Sequence, residues 1–97
     1  MAVTVILELP AKPENRDEMV NALKGALPDT RAYDGCIKIT AFNDQDNTNT
    51  IVLYEEWETR GHHEAYMKFR TESGFIEAMA GMLTGEPKFM YLDTLDA

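Results

Sequence analysis

The chain has 97 residues, 44% of them hydrophobic, and its 9 basic and 17 acidic side chains give a formal net charge of −8. That length predicts one domain over residues 1–97, with room for one modest core and little else. The charge repels phosphate backbones and anionic lipid headgroups, so neither nucleic acid nor a membrane surface is an expected partner.

The single cysteine, Cys36, excludes an intrachain disulfide. The opening MAVTVILEL has no basic leader and is too short to span a bilayer, so the expected location is cytoplasmic. The stretch Ala2–Leu9 reads as a strand that is apolar on both alternations, Val3, Val5 and Leu7 on one face and Thr4 and Ile6 on the other. Pro13 begins a helix with Glu14, Asp17 and Glu18 at its positive end, and Met19, Val20, Leu23 and Leu27 form its buried stripe. Pro28 either kinks this helix or ends it before a short second one, and Gly35 closes the segment.

CIKITAFN is the second strand, with Ile37, Ile39 and Ala41 expected on one face against Cys36, Lys38, Thr40 and Phe42 on the other. A polar loop, DQDNTNT, joins it to the third strand, TIVLYEEWE, in an antiparallel hairpin. Asp44, Asp46, Thr48 and Glu55 fall at calcium-loop spacings, but Asn49 replaces the required glycine and no helix flanks the loop, so it reads as a connection. A helix runs from about Arg60 to Arg70, continues or restarts after Gly74, and breaks at Gly85-Glu86-Pro87 before a last strand, KFMYLDTL.

The order β-α-β-β-α-β is that of the ferredoxin-like α+β fold with a four-stranded antiparallel sheet. Two helices cover one face of such a sheet. The other face is left apolar, which predicts a homodimer closing a shared α+β barrel.

The strand VLYEEWE, the helix that follows it, DGC before the second strand and GEPKFMYLD at the end together resemble the antibiotic biosynthesis monooxygenase family over nearly the whole chain. The resemblance implies a small dimeric α+β barrel. It also implies a cofactor-free oxidation of a quinol- or anthrone-type aromatic by O2. The family more usually has a histidine nine residues beyond the strand tryptophan, where this chain has Tyr66. The residues of the haem-degrading branch are missing, which sets that activity aside.

Within this frame His62, Tyr66 and Arg70 are the candidate catalytic residues, expected to share a helix face with Phe69. A neutral histidine can take a phenol proton, a tyrosine hydroxyl can orient a substrate oxygen, and an arginine can hold the resulting phenolate. Arg70 has a second reading, as the partner of Glu72 or another surface acid. Trp57, Phe69, Phe75 and Met79 are the expected substrate-binding residues, Trp57 alternatively serving as core. His63 falls where the family has a core leucine.

No metal site is expected, because adjacent His62 and His63 point about 100° apart on a helix. No cofactor is expected either, since no dinucleotide or phosphate fingerprint is present. Two further readings stand beside the oxygenase: a ligand-binding or stress-response barrel without turnover, and an isomerase-type enzyme that consumes no oxygen.

Overall fold

The computed structural model describes residues 2–97. Its elements are β1 (Val3–Pro10), α1 (Arg16–Ala32, entered through a 3-10 turn at Pro13–Asn15), β2 (Cys36–Asn43), β3 (Thr50–Trp57), α2 (Arg60–Glu72), α3 (Phe75–Ala80) and β4 (Lys88–Leu92). The strands form one antiparallel sheet in the order β2-β3-β1-β4. This is the ferredoxin-like arrangement predicted from the sequence. Among the described residues no helix is long and apolar enough to cross a membrane.

The side-chain period of two decides which residues the helices cover. Val3, Val5, Leu7 and Leu9 of β1 are buried, as are Ile51, Leu53, Glu55 and Trp57 of β3. These meet Met19, Leu23, Ala26 and Leu27 of α1, His63, Tyr66 and Arg70 of α2, and Met79 of α3. A polar glutamate therefore sits in phase with three apolar neighbours on β3.

The other face of the sheet has no helix over it. Register pairs Ile6 with Tyr54 and Met90, and Val52 with Phe42, so these side chains share that open face with Leu92. Phe42 is 54% exposed and Leu92 41%.

One open alternative was decided and two local expectations changed. The helix α1 runs through Pro28 to Ala32 without a break. The Thr30 hydroxyl, fully buried, donates back to the Ala26 carbonyl at 3.2 Å, which holds the turn containing the proline. In β2 the register shifts between Cys36 and Lys38, and Ile37 is the extra residue. This bulge turns Cys36 toward the helices and leaves Ile37 53% exposed, so Ile37 does not share a face with Ile39. Finally, β4 stops at Leu92, and residues 93–97 continue without regular structure.

Candidate functional site

Two apolar cavities lie between the sheet and the helices. The inner one, about 40 Å³, is lined by Leu7, Leu53, Glu55, Tyr66, Arg70 and Met79, among others. The outer one, about 160 Å³, is bounded by Leu9, Leu83, Pro87 and Phe89. Leu7, Met67, Ile76 and Met79 belong to both walls, so the two form one cleft under α2 and α3. A larger groove of about 520 Å³ runs between α1 and β2, past Arg16, Lys24 and Arg31. It is open to solvent and contains no buried polar side chain, so the inner cleft is the better candidate for chemistry.

A network of polar groups crosses the inner cavity wall. Arg70 is only 8% exposed and donates from Nε to the Tyr66 hydroxyl at 2.8 Å. Its Nη2 donates to the Ala26 carbonyl at 3.0 Å and to Thr30 Oγ1 at 3.3 Å. The Tyr66 and Thr30 hydroxyls lie 2.6 Å apart. The guanidinium also packs against the Phe75 ring, 4.8 Å from its centroid. Among the described residues Arg70 joins no ion pair, so it is a buried cation without an anion. The expectation that it pairs with Glu72 or another surface acid is corrected by its burial: α2 turns it inward.

A second polar cluster stands beside the first. Glu55 is 2% exposed and accepts a hydrogen bond from Trp57 Nε1 at 3.0 Å. Burial pushes its carboxyl up to about 7, and the Trp57 bond pulls only partly against it. His63 Nε2 lies 3.7 Å from Glu55 Oε1, and His63 Nδ1 is 2.7 Å from the Tyr91 hydroxyl. Burial lowers His63 to about 4, against a smaller upward pull from Glu64, so its imidazole is neutral near pH 7. The Glu55–His63 contact is therefore not an ion pair between two full charges.

The structure brings together Tyr66, Arg70, Phe75 and Met79 of the predicted site residues. It does not bring His62, Trp57 or Phe69 to the cavity. His62 lies in the first turn of α2, capped by Thr59: its backbone N–H donates to Thr59 Oγ1 at 3.1 Å and its Nδ1 meets the same hydroxyl at 2.7 Å. Trp57 is fully buried behind Glu55, 5.1 Å centroid to centroid from Tyr66. Phe69 is 44% exposed and stacks on Tyr33.

The face expected to hold His62, Tyr66, Phe69 and Arg70 is therefore displaced. The buried stripe is His63, Tyr66 and Arg70. A helix turns about 100° per residue, which leaves His62 and Phe69 together on the flank of that stripe. The contact that sets the rotation is Trp57, against which both His63 and Tyr66 pack.

Glu55 and Thr30 were not among the expected site residues, and His63 was passed over for His62 as a core position. A signal for Glu55 was present: Ile51, Leu53, Glu55 and Trp57 alternate, so one of the adjacent glutamates at 55 and 56 must face inward.

His62 also explains the DGC motif. Gly35 has φ +86°, a left-handed conformation, and a Cβ there would lie 2.3 Å from His62 Cγ. Gly35→Ala is expected to cost at least about 1–2 kcal/mol from the backbone alone, and more from displacing the histidine. Urea denaturation checks this, and an unchanged midpoint would contradict it.

No curated protein resembles the chain closely enough to count as a match. Solved structures resemble it along nearly its full length. Rv0793 from Mycobacterium tuberculosis superposes with a TM-score of 0.88 at 23% identity, covering 100% of this chain and 98% of that one. A conserved protein from Methanosarcina mazei Go1 gives 0.87 at 21% identity, covering 95% and 91%. A structure named antibiotic biosynthesis monooxygenase gives 0.87 at 19%, covering 96% and 98%. Identities this low speak for the fold alone, but the sequence profile of one family matches residues 2–78 directly. With the sheet, the cleft beneath α2 and that match together, the chain belongs to the antibiotic biosynthesis monooxygenase family.

Proposed function

We propose that the chain acts as one domain that pairs with a second copy, and that it is a cofactor-independent monooxygenase of a small electron-rich quinol or phenol. The observation that carries this reading is Arg70, a buried cation with no carboxylate partner among the described residues, beside the Tyr66 hydroxyl on the wall of an apolar cavity. Such a pair favours the deprotonated form of a phenolic ligand. A bound phenolate can give one electron to O2, and the radicals then recombine at a ring carbon. Loss of water from the peroxide completes the balance: a quinol and O2 become a hydroxyquinone and water. The dry apolar walls suit both the anion and the gas.

Cavity size refines the substrate class. An apolar space of about 150 Å³ is enough for benzene, and the outer cavity here is about 160 Å³. A one-ring quinol fits that space. A three-ring anthrone requires α3 to move away from the sheet.

The dimer is part of the proposal because the open sheet face carries Ile6, Phe42, Val52, Tyr54, Met90 and Leu92. Two such faces would stack about 10 Å apart. Sedimentation of the dilute protein tests this, and a stable single copy would sink it.

The activity test is oxygen uptake by metal-free protein supplied with one-ring quinols and with menadiol. Turnover should fall at least tenfold in Arg70→Met and Tyr66→Phe, each checked for folding by its melting curve. Unchanged rates in both variants would remove the assignment. One observation favours the second reading, ligand binding without turnover: among the described residues every buried side-chain nitrogen and oxygen has a partner without any ligand. Binding of a quinol with no oxygen consumption would select that reading.

A further inference from the structure

The inner cavity wall holds an ionisable group, Glu55, that has no cationic partner among the described residues. Glu55 points to the same side of β3 as Leu53 and Trp57, opposite Val5 of β1 and Ile39 of β2. Among the described residues its one direct side-chain hydrogen bond is accepted from Trp57. A glutamine amide oxygen could accept from the same indole N–H without the cost of burying a carboxylate. A buried titratable group on the wall of an apolar cavity, next to His63 and on the same wall as Tyr66 and Arg70, points to proton chemistry.

A route to the surface leads away from it. Behind Glu55 Oε1 lies His63 Nε2 at 3.7 Å, and His63 Nδ1 meets the Tyr91 hydroxyl at 2.7 Å. Tyr91 is half-buried on β4, and the Arg60 guanidinium covers its ring at 4.0 Å. The 3.7 Å gap closes to a hydrogen bond with a movement of less than about 1 Å.

We infer that Glu55 is the base of this cavity, taking the hydroxyl proton of a bound phenol or quinol and passing it to solvent through His63 and Tyr91. This rests on the phenol-binding reading above and adds to it the residue that removes the proton. In the step, the ligand O–H bond breaks, its electron pair stays on the ligand oxygen facing Arg70, and an O–H bond forms on Glu55. The proton then moves to His63 Nε2 while the Nδ1 proton goes to Tyr91 and the Tyr91 proton to water. No oxidant is needed. Glu55 and Arg70 thus divide the work: one removes the proton, the other holds the anion, and His63 and Tyr91 are positioning residues.

The groups surrounding the base are consistent with this division. From α2 come His63, Tyr66 and Arg70, from β2 Cys36 and from β4 Tyr91, while β1 contributes only Val5 and Leu7 and α1 the hydroxyl of Thr30. Arg60 and Glu64 act on His63 from its own helix. A carboxyl poised at about 7 is half ionised at neutral pH, and an imidazole lowered to about 4 has a free lone pair to receive the proton.

The test uses ligand ionisation, which requires no oxygen. The full-length protein is titrated with 4-hydroxyacetophenone, a one-ring phenol whose phenolate absorbs at longer wavelength than the protein. In wild type the bound ligand should ionise at least one pH unit below the free ligand. In Glu55→Gln it should still bind, within a few-fold, and reach the ionised end point that Arg70 holds, but after a rapid pH jump it should ionise at least tenfold more slowly than in wild type. Ionisation at the wild-type rate in Glu55→Gln would overturn the inference, and so would failure of wild type to bind the phenol.

A measurement on the wild type guards against a variant that does not fold. The carbon-13 signal of the Glu55 carboxyl should shift when the phenol binds at pH 8 while staying in its carboxylate range, because the proton has left to solvent, and a signal that does not respond to the phenol counts against the base. Tyr91→Phe should reach the same ionised end point more slowly and be restored by imidazole buffer. An unchanged rate would remove the exit path. Ligand ionisation without oxygen uptake would keep Glu55 as base while removing the oxygenase reading, so the two can fail separately.

Discussion

Replacing Glu55 with glutamine is expected to change how stability depends on pH, by about 3 kcal/mol between pH 4 and pH 8 relative to wild type. Glu55 is raised from 4.5 to about 7 in the fold, because burial disfavours the carboxylate. A raised group contributes stability that is full below its unfolded value and lost as pH rises through its folded one. Glu55 therefore supports the fold below pH 4.5 and stops doing so above about 7.

His63 runs the other way, lowered from 6.5 to about 4 by burial. Its contribution is full above 6.5 and lost as pH falls through about 4. Over pH 4.5 to 6.5 the two slopes oppose each other and nearly cancel. Glu55→Gln exposes the His63 slope, so that variant loses stability relative to wild type toward acid. His63→Gln exposes the Glu55 slope, so that variant loses it toward neutral and above. Urea denaturation at a series of pH values reads both differences, and subtracting wild type removes the titration of the surface acids. A difference curve of opposite sign would mean that Glu55 and His63 are charged together as an ion pair.

The second large effect belongs to Trp57. Trp57→Ala should destabilise the protein by about 3–5 kcal/mol, a large share of the roughly 5–15 kcal/mol available to a domain. The ring is fully buried, and Val3, Val5 and Tyr66 pack in the same cluster. The substitution also removes the one hydrogen bond donated to Glu55. Trp57→Phe separates the two contributions by keeping most of the ring and deleting only the donor. It should cost about 1–3 kcal/mol and push the Glu55 carboxyl above its value of about 7. Equal midpoints for Trp57→Phe and wild type would show that the indole N–H does not support the buried carboxyl.

Much of the fold was legible in the chain because it depends on local period and on punctuation. Alternation in Val3–Leu9 and Ile51–Trp57, the three-and-four spacing of Met19, Leu23 and Leu27, and the breaks near Gly35 and Pro87 specify the order of elements. That order has few ways to bury its apolar faces, and the ferredoxin-like sheet is one of them. The exceptions were additions of single residues or turns. The bulge at Ile37 arises from pairing with β3, and the passage of α1 through Pro28 arises where Thr30 bonds to Ala26, so neither was decided by its own segment.

The site was legible only in part. Tyr66, Arg70, Phe75 and Met79 follow from sequence spacing, since residues three and four apart on a helix meet the same surface. Which stripe of α2 faces inward was not decided by that spacing, because His62 and His63 serve it equally well. Packing chose: Trp57 lies against His63 and Tyr66, and that contact turns His62 and Phe69 outward. The sequence by itself determined the element order, the alternation of β1 and β3 and the apolar open face of the sheet. Only the tertiary structure decided that Arg70 is buried without an anion and that Glu55, His63 and Tyr91 stand in a line. The reason is that burial and the distance between side chains from β3, α2 and β4 exist only once the sheet and helices have met.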